Sequence, residues 1–159
     1  MMLSGAIALS LLLSLQPAPN LSRAKSAFDS VPLLTSDLRP VRIGALEGSP
    51  TVVVLMESGC TNCVLSAKRA MADFPDSGLR FVLVDVQSTD SNGLKRVEAE
   101  FPQALVLREP TPRALTSLLG SRTYPEWFLL DGKGEVLDRW QGVYDPAKHK
   151  TSISQIIRK

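Results

Sequence analysis

Cys60 and Cys63 are the only two cysteines in the chain, and Thr61 and Asn62 stand between them. A thiolate on the first sulfur could attack a disulfide, and a second sulfur three residues on is close enough to attack the mixed disulfide that results. Two other chemistries compete for the same residues. Zinc needs four ligands, and the one further candidate of the usual kind is the distant His149. An inert structural disulfide is the second rival. A strand before the pair and a helix after it favour redox chemistry over both.

The flanking sequence supplies that context. Thr51 to Met56 (TVVVLM) is apolar and β-branched, and predicts a strand buried on both faces, central in its sheet. After the cysteines, Val64, Ala67, Met71 and Phe74 recur at helical spacing, with Lys68, Arg69 and Asp73 on other faces. Cys60 then falls where a helix leaves its first N–H groups unpaired and its dipole is positive. Both features favour thiolate over thiol.

At 159 residues, 44% hydrophobic and 21% charged, the chain can bury a real core, and disorder throughout is excluded. The net charge of +2 is scattered, with no basic block, so nucleic acid is not an expected partner. Gly5 to Leu15 (GAIALSLLLSL) has the length of a signal-peptide core, and a helix-breaking QPAPN follows it. Residues 1–20 are therefore expected to be a signal peptide, with an uncleaved membrane anchor as the minor variant. Residues 21–40, polar and carrying Pro32 and Pro40, are expected to be a linker, and 41–159 the folded domain.

Within that domain Val41 to Ile43 can add a short edge strand, and Arg80 to Val86 (RFVLVDV) predicts a second central strand, parallel to the first through a right-handed crossover. Gly78 is expected to stop the intervening helix. Helical spacing recurs over Leu94 to Phe101, a short strand fits Ala104 to Leu107, and Pro112 suits the first turn of a helix through Leu119, with Gly120 as its stop. Tyr124-Pro125 opens a strand, Asp131 to Gly134 form a hairpin turn, and Glu135 to Trp140 return. Asp145 and Pro146 start a final helix with Ile153, Ile156 and Ile157 on its apolar face.

The C-x-x-C after an apolar strand, followed by Tyr-Pro-Glu-Trp-Phe-Leu-Leu-Asp-Gly-Lys-Gly, resembles exported thioredoxin-like proteins of the TlpA/ResA type, over roughly Val41 to Lys159. The resemblance implies an α/β, thioredoxin-like fold: a mixed central sheet flanked by helices, with an inserted helix and strand between Ser91 and Leu107. It makes Cys60 the attacking and Cys63 the resolving cysteine. It makes Pro125 a cis-proline facing the pair, with Tyr124 offering its backbone to an extended substrate. It implies thiol–disulfide exchange with protein substrates, an upstream redox partner, no cofactor beyond the redox-active disulfide, no metal, and a periplasmic or other extracytoplasmic location.

Two departures from that pattern matter. Gly59 replaces the usual aromatic before the first cysteine, and Val54 stands where thioredoxins bury an acid. Glu57 and Glu126 are the carboxylates that could take over proton transfer, although solvated strand-end roles suit both. Thr61 and Asn62 carry no cation, so the helix terminus must supply the thiolate's stabilisation, which points to a reductant or mid-potential exchanger rather than a strong oxidant. The rival function is a non-catalytic copper-binding or assembly-chaperone module on the same fold. The two-residue gap between the cysteines argues against it. A peroxiredoxin-type thiol peroxidase is a third, and Ser58-Gly59-Cys60 does not match it.

Overall fold

The structure, a computed structural model, describes residues 20–158. The expected signal peptide or anchor lies almost wholly outside these residues. Helix α1 spans Leu21–Ser30, strands β1 and β2 Leu33–Leu34 and Pro40–Val41, β3 Thr51–Met56, and α2 Thr61–Asp73. Then come β4 (Arg80–Asp85), α3 (Ser91–Glu100), β5 (Leu105–Arg108), α4 (Thr116–Leu119), β6 (Glu126–Leu130), β7 (Val136–Gln141) and α5 (Pro146–Ile157).

The seven strands form one sheet in the order β2-β1-β5-β4-β3-β6-β7. β3 is buried along its whole length and pairs parallel with β4 and antiparallel with β6. Its side chains alternate, as in any strand. Val52, Val54 and Met56 pack with Cys63, Ala67 and Met71 of α2, Leu94 and Val97 of α3, and Ile153 and Ile156 of α5. Val53 and Leu55 point the other way, to Ala24, Ala27 and Phe28 of α1 and Leu119 of α4. The sheet is therefore sandwiched, as the expected fold class requires.

The segment expected to be a linker is instead part of this sandwich. Asn20 caps α1 by accepting from the Arg23 N–H at 3.0 Å, and Phe28 meets Phe128 of β6 edge-on at 5.0 Å. Leu33 and Leu34 pair with β2, and Leu34 with Arg108 of β5, so residues 21–41 extend the sheet and cover one face. Prolines at 32 and 40 suggest a linker, but Pro32 stands just before β1 and Pro40 opens the edge strand β2, where a missing N–H is tolerated.

Two helix limits also differ from expectation. α2 ends at Asp73, and Gly78, at φ +74°, belongs to the turn beyond it. The helix expected from Pro112 is only Thr116–Leu119, because Arg113 adopts φ +65°, which no α-helix accommodates. Gly120, at φ +68°, terminates it in the left-handed conformation.

Candidate active site

Cys60 is the N-cap of α2, and its sulfur accepts a hydrogen bond from the Cys63 N–H at 3.2 Å. Its own N–H donates to the Glu57 carbonyl at 3.0 Å, closing the loop that leaves β3. The two sulfurs are joined, with Cα atoms 5.2 Å apart. Cys60 is half-buried, whereas Cys63 is fully buried against the core beneath α2. An incoming sulfur can thus reach the first and not the second. When the bond opens, the charge that develops on Cys60 lies against an N–H donor and the positive end of a thirteen-residue helix.

The Tyr124–Pro125 peptide bond is cis. One step beyond the Leu55–Glu126 pair, the same antiparallel register sets Pro125 beside Met56, at the end of β3 from which the cysteine loop departs. Tyr124 is half-buried between the two cores, and the core under α2 that it touches contains Cys63 and has Cys60 packed against it. Burial first, then the Glu109 carboxylate, push its phenol above the ordinary tyrosine range.

The two carboxylates named for proton transfer fall elsewhere than under the sulfurs. Glu126 pairs with Leu55, so it faces α1 and α4, the side of the sheet away from Cys63. There it is fully buried, and one of its oxygens takes Arg139 Nε at 2.7 Å, Arg139 Nη2 at 2.6 Å and Gln141 Nε2 at 3.2 Å. It is a structural ion pair, not a group poised at the sulfurs. Glu57 is exposed and lines a cavity on the Tyr124 side of the loop. Val54 remains apolar and fully buried beside Cys63. His149 is likewise engaged elsewhere: its Nδ1 accepts from the Asp145 N–H at 3.0 Å and its ring stacks on Trp140 at 4.6 Å. Burial holds its pKa below the usual histidine value, which suits an accepting, neutral imidazole. Among the described residues no three His, Cys, Asp or Glu side chains converge as metal ligands.

The residues that hold the cysteine loop are ones the sequence reading passed over. Asp85, the fully buried last residue of β4, accepts from the Ser58 N–H at 3.1 Å, the Gln87 N–H at 3.2 Å and the Ser88 hydroxyl. Gln87 Oε1 accepts from the Gly59 N–H at 2.9 Å and the Ser58 hydroxyl at 3.3 Å. The two amides just before Cys60 are therefore tied to the last residue of β4 and to the loop after it. This also rationalises Gly59, because a Cβ there would come within 3.1 Å of Gln87 Oε1. The available signal was one acid closing the apolar run Phe81 to Val84. Asp85→Ala leaves three donors without their acceptor and is expected to cost about 3 kcal/mol in chemical denaturation, while Asp85→Asn, which keeps one acceptor oxygen, costs less. Gln87→Ala, at an exposed position where water can substitute, is expected to cost under about 1 kcal/mol.

No sequence-family model matches the chain, and no curated protein matches it by sequence. Solved structures do match by fold. A thioredoxin-like protein from Porphyromonas gingivalis superposes with a TM-score of 0.66 at 18% identity, over 80% of this chain and 90% of that one. The thio-disulfide isomerase of Thermus thermophilus does so at 0.63 and 19%, over 79% and 90%. The exposed lipoprotein thioredoxin of Streptococcus pneumoniae strain TIGR4 does so at 0.59 and 17%, over 78% and 97%. The chain thus has the thioredoxin-like fold, with its cysteine pair bonded at the start of α2.

Proposed function

We propose that this protein is a thiol–disulfide oxidoreductase acting on protein disulfides, in an exported setting of the TlpA/ResA type. The observation that carries the reading is the half-buried Cys60 at the mouth of α2, its sulfur on the Cys63 N–H. The fold shared with a thio-disulfide isomerase and an exposed lipoprotein thioredoxin supports it. Export rests on the apolar run Gly5 to Leu15. Among the described residues no helix is long and apolar enough to cross a membrane.

In the reducing direction the Cys60 thiolate attacks one sulfur of a substrate disulfide. A mixed disulfide forms, and the electron pair of the broken bond leaves on the other substrate sulfur, which takes a proton. Cys63, losing its proton, then attacks Cys60. The Cys60–Cys63 bond forms, and the second substrate thiolate departs. Two electrons have passed from the pair to the substrate, and an upstream dithiol partner must return them. No cofactor beyond the disulfide is needed, and the substrate's extended segment would pair with the backbone at Tyr124.

The helix terminus and one N–H stabilise the Cys60 thiolate, with no cation between the cysteines. That modest help favours a reductant or mid-potential exchanger. The couple is expected between about −180 and −270 mV when equilibrated against glutathione redox buffers. A value near −120 mV would instead mark a strong oxidant and reverse the proposed direction.

A further inference from the structure

Residues Glu57 to Cys60 form a β-turn, closed by the Cys60 N–H on the Glu57 carbonyl at 3.0 Å. Such a turn leaves the amides of its two central residues free to bond outside it. Here those residues are Ser58 and Gly59, whose N–H groups go to Asp85 Oδ1 at 3.1 Å and to Gln87 Oε1 at 2.9 Å. Cys60 is at once the last residue of the turn and the N-cap of α2, in an extended conformation at φ −90° and ψ 103°. The orientation of the turn therefore sets how its sulfur meets the Cys63 N–H and the end of the helix.

The two anchors are not equivalent. Asp85 is fully buried, and its three donors make it part of the fold. Gln87 is exposed, and water can replace it on the Gly59 amide at little cost to stability. Water does not hold that amide in one direction, whereas Gln87 does. The same Asp85 oxygen that takes the Ser58 N–H also takes the Gln87 N–H, at 3.2 Å. The glutamine's backbone is thus fixed relative to the turn before its side chain reaches back to Gly59 and, at 3.3 Å, to the Ser58 hydroxyl.

We propose that Gln87 is a positioning residue for Cys60: by holding the Gly59 N–H it keeps the reactive sulfur against the mouth of α2, where its thiolate is stabilised. The assignment rests on the oxidoreductase reading above. Gly59 belongs to the same device. It is not among the left-handed glycines, so alanine meets no backbone strain there. What it meets is Gln87, whose Oε1 and Nε2 would lie 3.1 Å and 3.6 Å from the added Cβ. A side chain at position 59 would push the acceptor off the amide it holds.

Two measurements on the full reduced chain test this: the pH profile of iodoacetamide alkylation at Cys60, and the rate of insulin reduction. Gln87→Met keeps the side chain's length and removes its acceptor. It is expected to raise the alkylation midpoint by about half a unit and to slow insulin reduction about fivefold at neutral pH, the scale of one net hydrogen bond, with the denaturation midpoint nearly unmoved. The charged groups around the turn are Glu57 on it, Asp85 beneath it, and Asp90, Arg96 and Glu100 along the cavity beside Gly59. None of them changes in Gln87→Met, so a shifted midpoint reports geometry. Gln87→Glu, which keeps an acceptor oxygen, should recover most of the lost rate when measured above the midpoints. Gly59→Ala should slow the native chain by a like factor, and the Gln87→Met chain by less than about twofold, because both changes act on one hydrogen bond. Unchanged profiles in Gln87→Met, a Gln87→Glu chain as slow as Gln87→Met, or effects of the two substitutions that simply multiply overturn the positioning role and leave the oxidoreductase standing. Failure of the native chain to reduce insulin overturns the parent reading, while the alkylation profiles still decide whether Gln87 holds the sulfur.

Discussion

Serine at position 60 is expected to abolish reduction of protein disulfides, by about a thousandfold or more, the scale of removing an enzyme's nucleophile. Serine at position 63 should act differently: it should leave the protein covalently joined to its substrate through Cys60. The asymmetry comes from burial and from the helix. Cys60 is half-buried at the N-cap, with a donor on its sulfur, whereas Cys63 is sealed beneath α2. An outside disulfide can meet only the first, and only the second is placed to release what the first has captured. Non-reducing gels of each variant after exposure to a protein disulfide distinguish the roles. If the adduct forms in Cys60→Ser instead, the assignment of attacking and resolving sulfur is inverted.

The second large effect concerns stability. Arg139→Ala is expected to destabilise the fold by about 3 kcal/mol or more in chemical denaturation, because it strands the fully buried Glu126 without its cation. Arg139 also lies over the Phe128 ring at 5.1 Å and donates to the Leu119 carbonyl at 3.0 Å, so it ties β7 to β6 and to the end of α4. Replacing both partners with apolar residues of similar size, Glu126→Leu with Arg139→Met, should recover most of the loss, since no buried charge is then left alone. Neither change should move the pH dependence of Cys60 alkylation in the reduced protein, because the pair lies across the sheet from the sulfurs. A shift in that profile for Glu126→Gln would restore Glu126 to the proton-transfer role its position in the sequence suggested.

These two outcomes separate what local pattern encodes from what long-range packing decides. The strand of Thr51 to Met56, the helix after it and the placement of Cys60 at their junction follow from period, apolarity and capping, all properties of neighbouring residues. The hairpin around Asp131 to Gly134 and the Asp145 cap were legible for the same reason. Residues 21–41 were not, since their polar, proline-marked sequence carries no sign that α1 would find Phe128 and β1 would find β5. Such pairings join segments some 75 to 100 positions apart in the chain.

The carboxylates divide in the same way. Sequence names acids but not the face of the sheet they reach. Glu126 stands one residue from Pro125, and only its register with Leu55 turns it away from the sulfurs. Asp85 looked like the end of an apolar strand, and became a clamp on the cysteine loop because β4 lies parallel beside β3 and ends level with it. The position of the cysteine pair at the start of α2 was therefore written locally in the chain. Its surroundings were settled by the packing: which charge is spent on the fold and which residues hold the loop. Hydrogen bonds and ion pairs between distant segments exist only once the sheet has aligned them.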